Sequence, residues 1–172
     1  MTITFTLITI ISSIVFHNTA VDFLAFLFIG KLDTFLIVAI FFALSDEKYT
    51  ALITGFILGT LKDVLAGGIL GINALTKTIS VFAIGRIQSD YAKKDFLSIF
   101  ILCSIFSILD KLTTTLFFYF VMPSDSITSV FFLETISGTV QNVFLGPVLI
   151  SFLFKCQTKF VQSRKETNYP IR

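Results

Sequence analysis

The chain has 172 residues, of which 55% are hydrophobic and 14% charged, and its mean hydropathy is +0.91. A soluble domain carries charge on about a quarter of its residues, so this composition excludes a soluble domain and predicts a single polytopic membrane domain over residues 1–172. The net charge of +2 is too small to indicate a nucleic acid as the partner.

In chain order, the apolar segments predict an all-α integral membrane protein, a compact bundle of six transmembrane helices, since one span needs about 20 apolar residues. Helix one is predicted over residues 2–19, with a single tilted helix to residue 29 as the alternative. Helix two is predicted from residue 34 to residue 44 or 45, with Asp33 or Thr34 as its cap, and is short for a span. The later helices are predicted over residues 48–65, 72–87, 96–121 and 127–154. Pro147 favours a bend in the last of them, and residues 155–172 are predicted to be a frayed basic tail.

Positive charge is divided unequally between the two sides that this helix count creates. One side holds nine cationic residues: Lys48, Arg86, Lys93, Lys94, Lys155, Lys159, Arg164, Lys165 and Arg172. The loops of the other side hold only Lys31. Because cationic loops stay in the cytoplasm, both termini are predicted to be cytoplasmic.

The segment from Ile53 to Arg86 reads as two apolar helices joined by a glycine-rich turn. Small residues and one acid recur at every fourth position of its first helix, and therefore lie along one side of it. These positions are Ala51, Gly55, Gly59, Asp63 and Gly67. Gly55 and Gly59 form a GxxxG pair, which is typical of close helix contact in membranes. Gly67 and Gly68 are predicted to end this helix, and Gly71 and Asn73 to begin the next.

Asp63 and Lys77 lie at similar distances from the turn of this hairpin. At a rise of about 1.5 Å per residue their depths differ by about 3 Å. The two side chains are therefore expected to form an ion pair across the hairpin.

Six ionisable residues fall inside the predicted helices, all in the half near the non-cytoplasmic side: Lys62, Asp63, Lys77, Asp110, Lys111 and Glu134. Polar stripes accompany them on three helices: Asn73, Lys77 and Ser80; Ser107, Asp110 and Thr114; Glu134, Gly138 and Gln141. Spacings of three and four place each set on one helix face, so the stripes are expected to meet. A functional interpretation is a binding cavity, a partner-binding site or an ion pathway. The structural interpretation is ion pairs that fix helix register, with Lys62 and Lys111 extending towards the membrane surface.

The sequence contains no recognisable motif for catalysis or metal binding. His17 is the only histidine, and Cys103 and Cys156 match no zinc, disulfide or redox spacing. The chain has no phosphate loop and no Ser-His-Asp arrangement. We therefore expect no catalytic residue, cofactor or metal.

The hairpin resembles the bacterial rod shape-determining protein family MreD. The resemblance is carried by Gly55, Gly59, Asp63, Gly67, Gly68, Leu70, Gly71, Asn73, Ala74, Leu75, Gly85 and Arg86. Upstream, Lys31-Leu32-Asp33 lies where that family has an Arg-Pro-Asp-like sequence before its second helix. The resemblance implies a non-enzymatic, multi-pass scaffold of the rod complex in the bacterial inner membrane, which guides peptidoglycan synthesis. It also implies binding to a single-span MreC-like protein, and ties to MreB and to RodA with its partner transpeptidase.

A second hypothesis is the substrate-capture subunit of an energy-coupling-factor vitamin transporter. The chain is similar to such subunits only in its size and helix number, and a polar outer patch would suit a ligand. The Ala-xxx-Ala coupling motif expected in helix one is missing, since no alanine precedes Ala20.

Overall fold

A computed structural model describes residues 5–15, 32–45, 48–66, 69–88, 95–121 and 129–168. These residues form helices, with no strand among them. The helices are α1 (Phe5–Val15), α2 (Thr34–Ser45), α3 (Lys48–Ala66), α4 (Ile72–Gln88), α5 (Phe96–Val121) and α6 (Ser129–Asn168).

The helix bounds agree closely with the predictions from α2 to α5. Both ends of α2 and of α5 are confirmed, and α3 and α4 each continue one residue further than predicted. The ends of helix one, including the alternative that reached residue 29, lie outside the described residues. The predicted turn at Gly67 and Gly68 also lies outside them.

The prediction for the end of α6 was wrong. The helix does not stop at Phe154 but continues through the basic segment to Asn168. No glycine or proline interrupts residues 155–168, and the side chain of Phe160 packs on that of Phe5 with ring centroids 5.6 Å apart. The first residue after Phe154 that opposes a helix is Pro170, because proline disfavours helical geometry at the residue before it.

The short helix α2 is the core of the bundle. Each residue from Thr34 to Leu44 is buried, which is the expected situation for a helix that is apolar on all sides. Twelve residues span about 18 Å at about 1.5 Å per residue, which is less than a hydrocarbon core of about 30 Å. Protein, not lipid, therefore surrounds α2.

Two antiparallel hairpins enclose α2. One is α3 with α4, the other is α5 with α6, and α2 contacts all four of these helices. Helix α1 joins through aromatic contacts, since the ring of Phe5 lies 6.3 Å from that of Phe41 on α2. Phe41 also packs edge-on against Phe154 of α6 at 5.1 Å.

The outer surface of the bundle is apolar. Large side chains are half exposed or more on every helix outside the core, as with Ile11 on α1, Phe56 on α3, Phe82 on α4 and Phe144 on α6. Three helices contain segments that are long and apolar enough to cross a membrane: Tyr49–Ala66, Phe96–Phe117 and Phe132–Phe160. An apolar exterior that encloses buried charges is that of a membrane protein, because lipid is the medium that such a surface fits.

Candidate functional site

Asp33 lies at the centre of a cluster of charged residues inside the bundle. It precedes α2, and its Oδ1 accepts a hydrogen bond from the backbone N–H of Leu36 at 3.0 Å, which makes Asp33 the cap that the sequence allowed. Its Oδ2 accepts hydrogen bonds from the ammonium groups of Lys62 and Lys77. Its backbone N–H donates to Oδ1 of Asn142 at 2.8 Å. One residue thus connects α2 with α3, α4 and α6.

Lys77 is the most deeply buried charge, with 0% of its side chain exposed. Its Nζ donates to Oδ2 of Asp33 at 3.1 Å, to Oδ1 of Asn73 at 3.3 Å and to Oδ1 of Asp110 at 3.4 Å. An ammonium group has three N–H bonds, so all three have acceptors. A buried charge is tolerable under these conditions, because its partners replace the water that it has lost.

Asp110 brings α5 into the same cluster. Its Oδ1 accepts from the hydroxyl of Thr76 at 3.0 Å and from Lys77, while its Oδ2 lies 4.0 Å from Nζ of Lys62. Lys62 is 16% exposed, in contrast to the 1% of Asp33 and Asp110. We call Asp33, Lys62, Lys77 and Asp110 the charged cluster.

Asp63 has a different role from the one expected. Its carboxylate accepts hydrogen bonds from the backbone N–H groups of Gly71, Asn73 and Ala74, and from the Asn73 side chain. These N–H groups belong to the first turn of α4 and the residue before it, where a helix has no internal acceptors. Asp63 is therefore a cap that α3 supplies to α4.

The predicted ion pair between Asp63 and Lys77 was wrong. Among the described residues, Lys77 pairs with Asp33 and Asp110, and Asp63 is occupied by backbone N–H groups. Asn73 lies between the two, since its Nδ2 donates to Asp63 at 2.9 Å and its Oδ1 accepts from Lys77. Similar depth in the hairpin did not predict the partner of Asp63, because its side chain extends along the turn and binds the start of α4.

The polar stripes meet only in part. The stripes of α4 and α5 join directly through Lys77 and Asp110. On α6, Gln141 is buried with 7% of its surface exposed, but Glu134 is exposed. Glu134 is therefore not part of the charged cluster. The α6 residue that reaches the cluster is Asn142, one position after Gln141.

Asp33 and Asn142 are the residues that the sequence reasoning missed. Asp33 was read only as a possible helix cap, although the match of Lys31-Leu32-Asp33 to the family pattern was a signal for it. Asn142 gave no signal, because it lies beside the stripe of Glu134 and Gln141 and not on it. Lys62 does not merely extend towards the membrane surface, since it contacts Asp33.

The glycine stripe of α3 lies against α4. A Cβ at Gly59 would be 2.4 Å from the Cα of Ala74 and from the carbonyl oxygen of Asn73, so the two backbones touch here. A Cβ at Gly55 would be 2.8 Å from a methyl group of Val81. Ala51 is buried with 2% exposed. Gly71, at the turn, has a φ of +105°, which side-chain-bearing residues rarely adopt.

Metal-binding chemistry is not found in the described part of the chain, where no three His, Cys, Asp or Glu side chains are grouped. The acids of the charged cluster face lysines instead. His17, the one histidine, lies outside the described residues. The arrangement is thus suited to holding helices together: α3, α4, α5 and the start of α2 meet at one set of ion pairs, and α6 joins through the hydrogen bond of Asn142.

The apolar exterior and the enclosed ion pairs define a helical membrane protein in which Lys62 and Lys77 pair with the protein's own aspartates. The family model described as rod shape-determining protein MreD matches residues 1–156. The chain therefore belongs to the MreD family, as the hairpin from Ile53 to Arg86 indicated. It is a family of structural proteins of rod shape determination, not known as enzymes. No curated protein and no solved structure matches the chain.

Proposed function

We propose that this protein is a non-enzymatic scaffold of the bacterial cell-elongation complex, and that it maintains cell shape by holding an MreC-like partner where peptidoglycan is made. The family match over residues 1–156 carries the proposal. The geometry supports it, because the charged cluster and Asn142 hold α2, α3, α4, α5 and α6 relative to one another. A bundle fixed in this way presents constant outer faces, which is what an assembly platform requires.

The proposed position is the cytoplasmic membrane, with six spans and both termini in the cytoplasm. The unequal distribution of cationic residues between loops supports it. Helix α2 does not need to cross the bilayer unaided, since the hairpins enclose it and the polar cap at Asp33 is satisfied by protein.

The partners proposed are an MreC-like single-span protein and, through the same complex, MreB and the RodA–transpeptidase synthase. The family resemblance implies them. The outer apolar faces of α3 to α6 offer surface to a transmembrane helix, since Phe56, Phe82, Ile105 and Phe144 are each 47–65% exposed.

The vitamin-carrier alternative has less support than the scaffold. The polar patch that would suit a ligand is filled by Lys77 and Asp110, which are 0% and 1% exposed and pair with each other. A gene adjacent to this one that encodes an MreC-like protein would favour the scaffold, and a vitamin pathway there would favour the carrier.

Affinity purification from membranes with mass spectrometry tests the partnership. The protein should recover a single-span MreC-like protein in near-equal amount. Lys159→Gln is the matched control, because it changes an exposed charged residue outside the apolar surface proposed for the partner. It should recover the same amount. Recovery of a transporter energy-coupling module instead would contradict the scaffold.

A further inference from the structure

Lys111 is a cation beside the charged cluster that no carboxylate of the described residues contacts directly. It follows Asp110 on α5 and is partly buried. It interacts electrostatically with Lys62, Asp33, Asp110 and Lys77. Within the described part of the chain it makes no ion pair within 4.0 Å and no hydrogen bond. The other two lysines of this region each contact a carboxylate.

The three acids of this region do not pair one to one with its three lysines. Asp33 and Asp110 face Lys62 and Lys77. Asp63 keeps its negative charge, but its carboxylate faces the N–H groups at the start of α4, which form the positive end of that helix. A charge without a close partner in a medium of low dielectric constant is costly. Lys111 therefore lacks a close anion.

Two of the three lysines reach the surface. Lys77 is fully buried, whereas Lys62 is 16% exposed and Lys111 is partly exposed. Exposed apolar side chains lie near them in sequence on the same helices: Leu65 on α3 is 45% exposed, and Ile108 and Leu112 on α5 are 48% and 54% exposed. Lys62 lies four residues before the end of α3, about 6 Å below it at about 1.5 Å per residue. Flexible lysine side chains at such a depth reach the headgroup region.

We propose that Lys62 and Lys111 bind the phosphate of an anionic phospholipid in the leaflet at the α3–α4 turn. The phosphate supplies the close negative charge that Lys111 lacks, and the acyl chains lie along the exposed side chains of Leu65, Ile108 and Leu112. A lipid fits this combination better than a protein carboxylate, because a phosphodiester with apolar chains is already present at this depth around the whole bundle. The bound lipid would stabilise the contact of α3 with α5 at the charged cluster.

Lipid binding by the purified protein tests the assignment. The protein in a neutral detergent is titrated with phosphatidylglycerol, phosphatidylcholine or inorganic phosphate, and bound lipid is counted by native mass spectrometry while the melting temperature is followed. Lys111→Gln breaks no ion pair, so it should fold. It should bind phosphatidylglycerol about five- to tenfold more weakly, because a charge-assisted hydrogen bond at a part-buried site contributes more than an exposed ion pair.

Two matched variants complete the experiment. Lys111→Arg keeps the charge and should retain the affinity, and Lys159→Gln removes an exposed lysine at the opposite end of the bundle and should also retain it. Equal affinity of Lys111→Gln and the wild type would overturn the proposal, as would equal stabilisation by phosphatidylcholine. Stabilisation by inorganic phosphate alone would assign the site to a free anion. If the lipid has no effect but Lys111→Gln releases a co-purifying protein, the missing anion is a partner's carboxylate and the lipid assignment is wrong.

Discussion

At the scale of single residues, the two oxygens of Asp33 have separate tasks. Oδ1 caps α2 through Leu36, and Oδ2 accepts from Lys62 and Lys77. The cap fixes the carboxylate in one orientation, so its second oxygen is already placed for the lysines. The conformational entropy lost when this side chain is ordered is lost once for both interactions. The arrangement of α2, α3 and α4 therefore depends more on Asp33 than on any other residue of the cluster.

Lys77→Met should destabilise the protein strongly. It leaves Asp33 and Asp110 in the interior with one cation fewer, and breaking a buried ion pair costs about 3–5 kcal/mol. Adding Asp110→Asn should recover part of this loss, since the carboxylate left unpaired is then neutral. Thermal unfolding in detergent measures both effects, with Lys159→Met as the exposed control. Strictly additive losses would show that Lys77 and Asp110 do not interact.

Asp63→Ala should destabilise through the start of α4. It removes the acceptor for the backbone N–H groups of Gly71, Asn73 and Ala74, and loss of a helix cap typically costs about 0.5–2 kcal/mol. Hydrogen exchange should quicken in the first turn of α4 and stay slow around Asp110. Faster exchange throughout the charged cluster, with the first turn unchanged, would contradict the capping role.

Which residues are polar and buried was readable from the sequence, but their pairing was not. Helical spacing placed Lys77 and Asp110 on inward faces, and they do meet. The choice of partner depends on the direction of each side chain and on where α2 starts. The spacing of residues in the sequence reveals neither. Asp33 was missed for this reason: it lies before its helix, so no stripe includes it. Glu134 shows the converse, since it follows the spacing of a stripe but lies at the exposed end of α6.

At the scale of helices, the close contact of α3 with α4 results from Gly59. The backbone of α4 occupies the space where a Cβ would lie, which brings Asp63 within reach of the N–H groups at the start of α4. The contact and the cap therefore support each other. Helix bounds were predictable where polar residues or glycines interrupt the apolar pattern, as around α2, α3 and α5. The end of α6 was not, because a polar composition does not by itself stop a helix that packs through Phe160.

Substitution of the glycines by alanine should give a graded series. Gly59→Ala should cost about 1–3 kcal/mol, as overpacking does, because its Cβ would meet backbone at 2.4 Å. Gly55→Ala should cost less, since a Val81 methyl group can move. Gly146→Ala is the matched control: its Cβ would meet the sulfur of Cys103 at 3.3 Å, and helix propensity favours alanine by about 1 kcal/mol. Equal melting temperatures for Gly59→Ala and Gly146→Ala would show that α3 and α4 are not in backbone contact.

At the scale of the whole molecule, ion pairs lie inside beside the apolar core of α2, and the outer surface is also largely apolar, unlike that of a soluble protein. Composition predicted this class, and the family resemblance in one hairpin predicted the family that the match over residues 1–156 shows. The enclosure of α2 was not predictable from its own residues. A twelve-residue apolar helix can be a short transmembrane helix or a helix buried inside the protein, and its sequence fits both.

The six-span topology has a direct test. In a background without Cys103 and Cys156, single cysteines at positions 125 and 93 should label from opposite sides: position 125 from outside, position 93 only after the membrane is made permeable. The reason is the concentration of cationic residues on the side of position 93. Labelling of both positions from the same side would require a different number of spans.

The shape of cells depleted of this protein tests the central claim most directly. A rod-shaped bacterium that loses the protein should become round, and its width should return to normal with the wild-type gene and with Lys159→Met. Lys77→Met should fail to restore it, or restore it poorly, because the scaffold depends on the buried ion pairs. Rods of normal width after depletion, accompanied by loss of uptake of a vitamin, would contradict the scaffold and support a carrier.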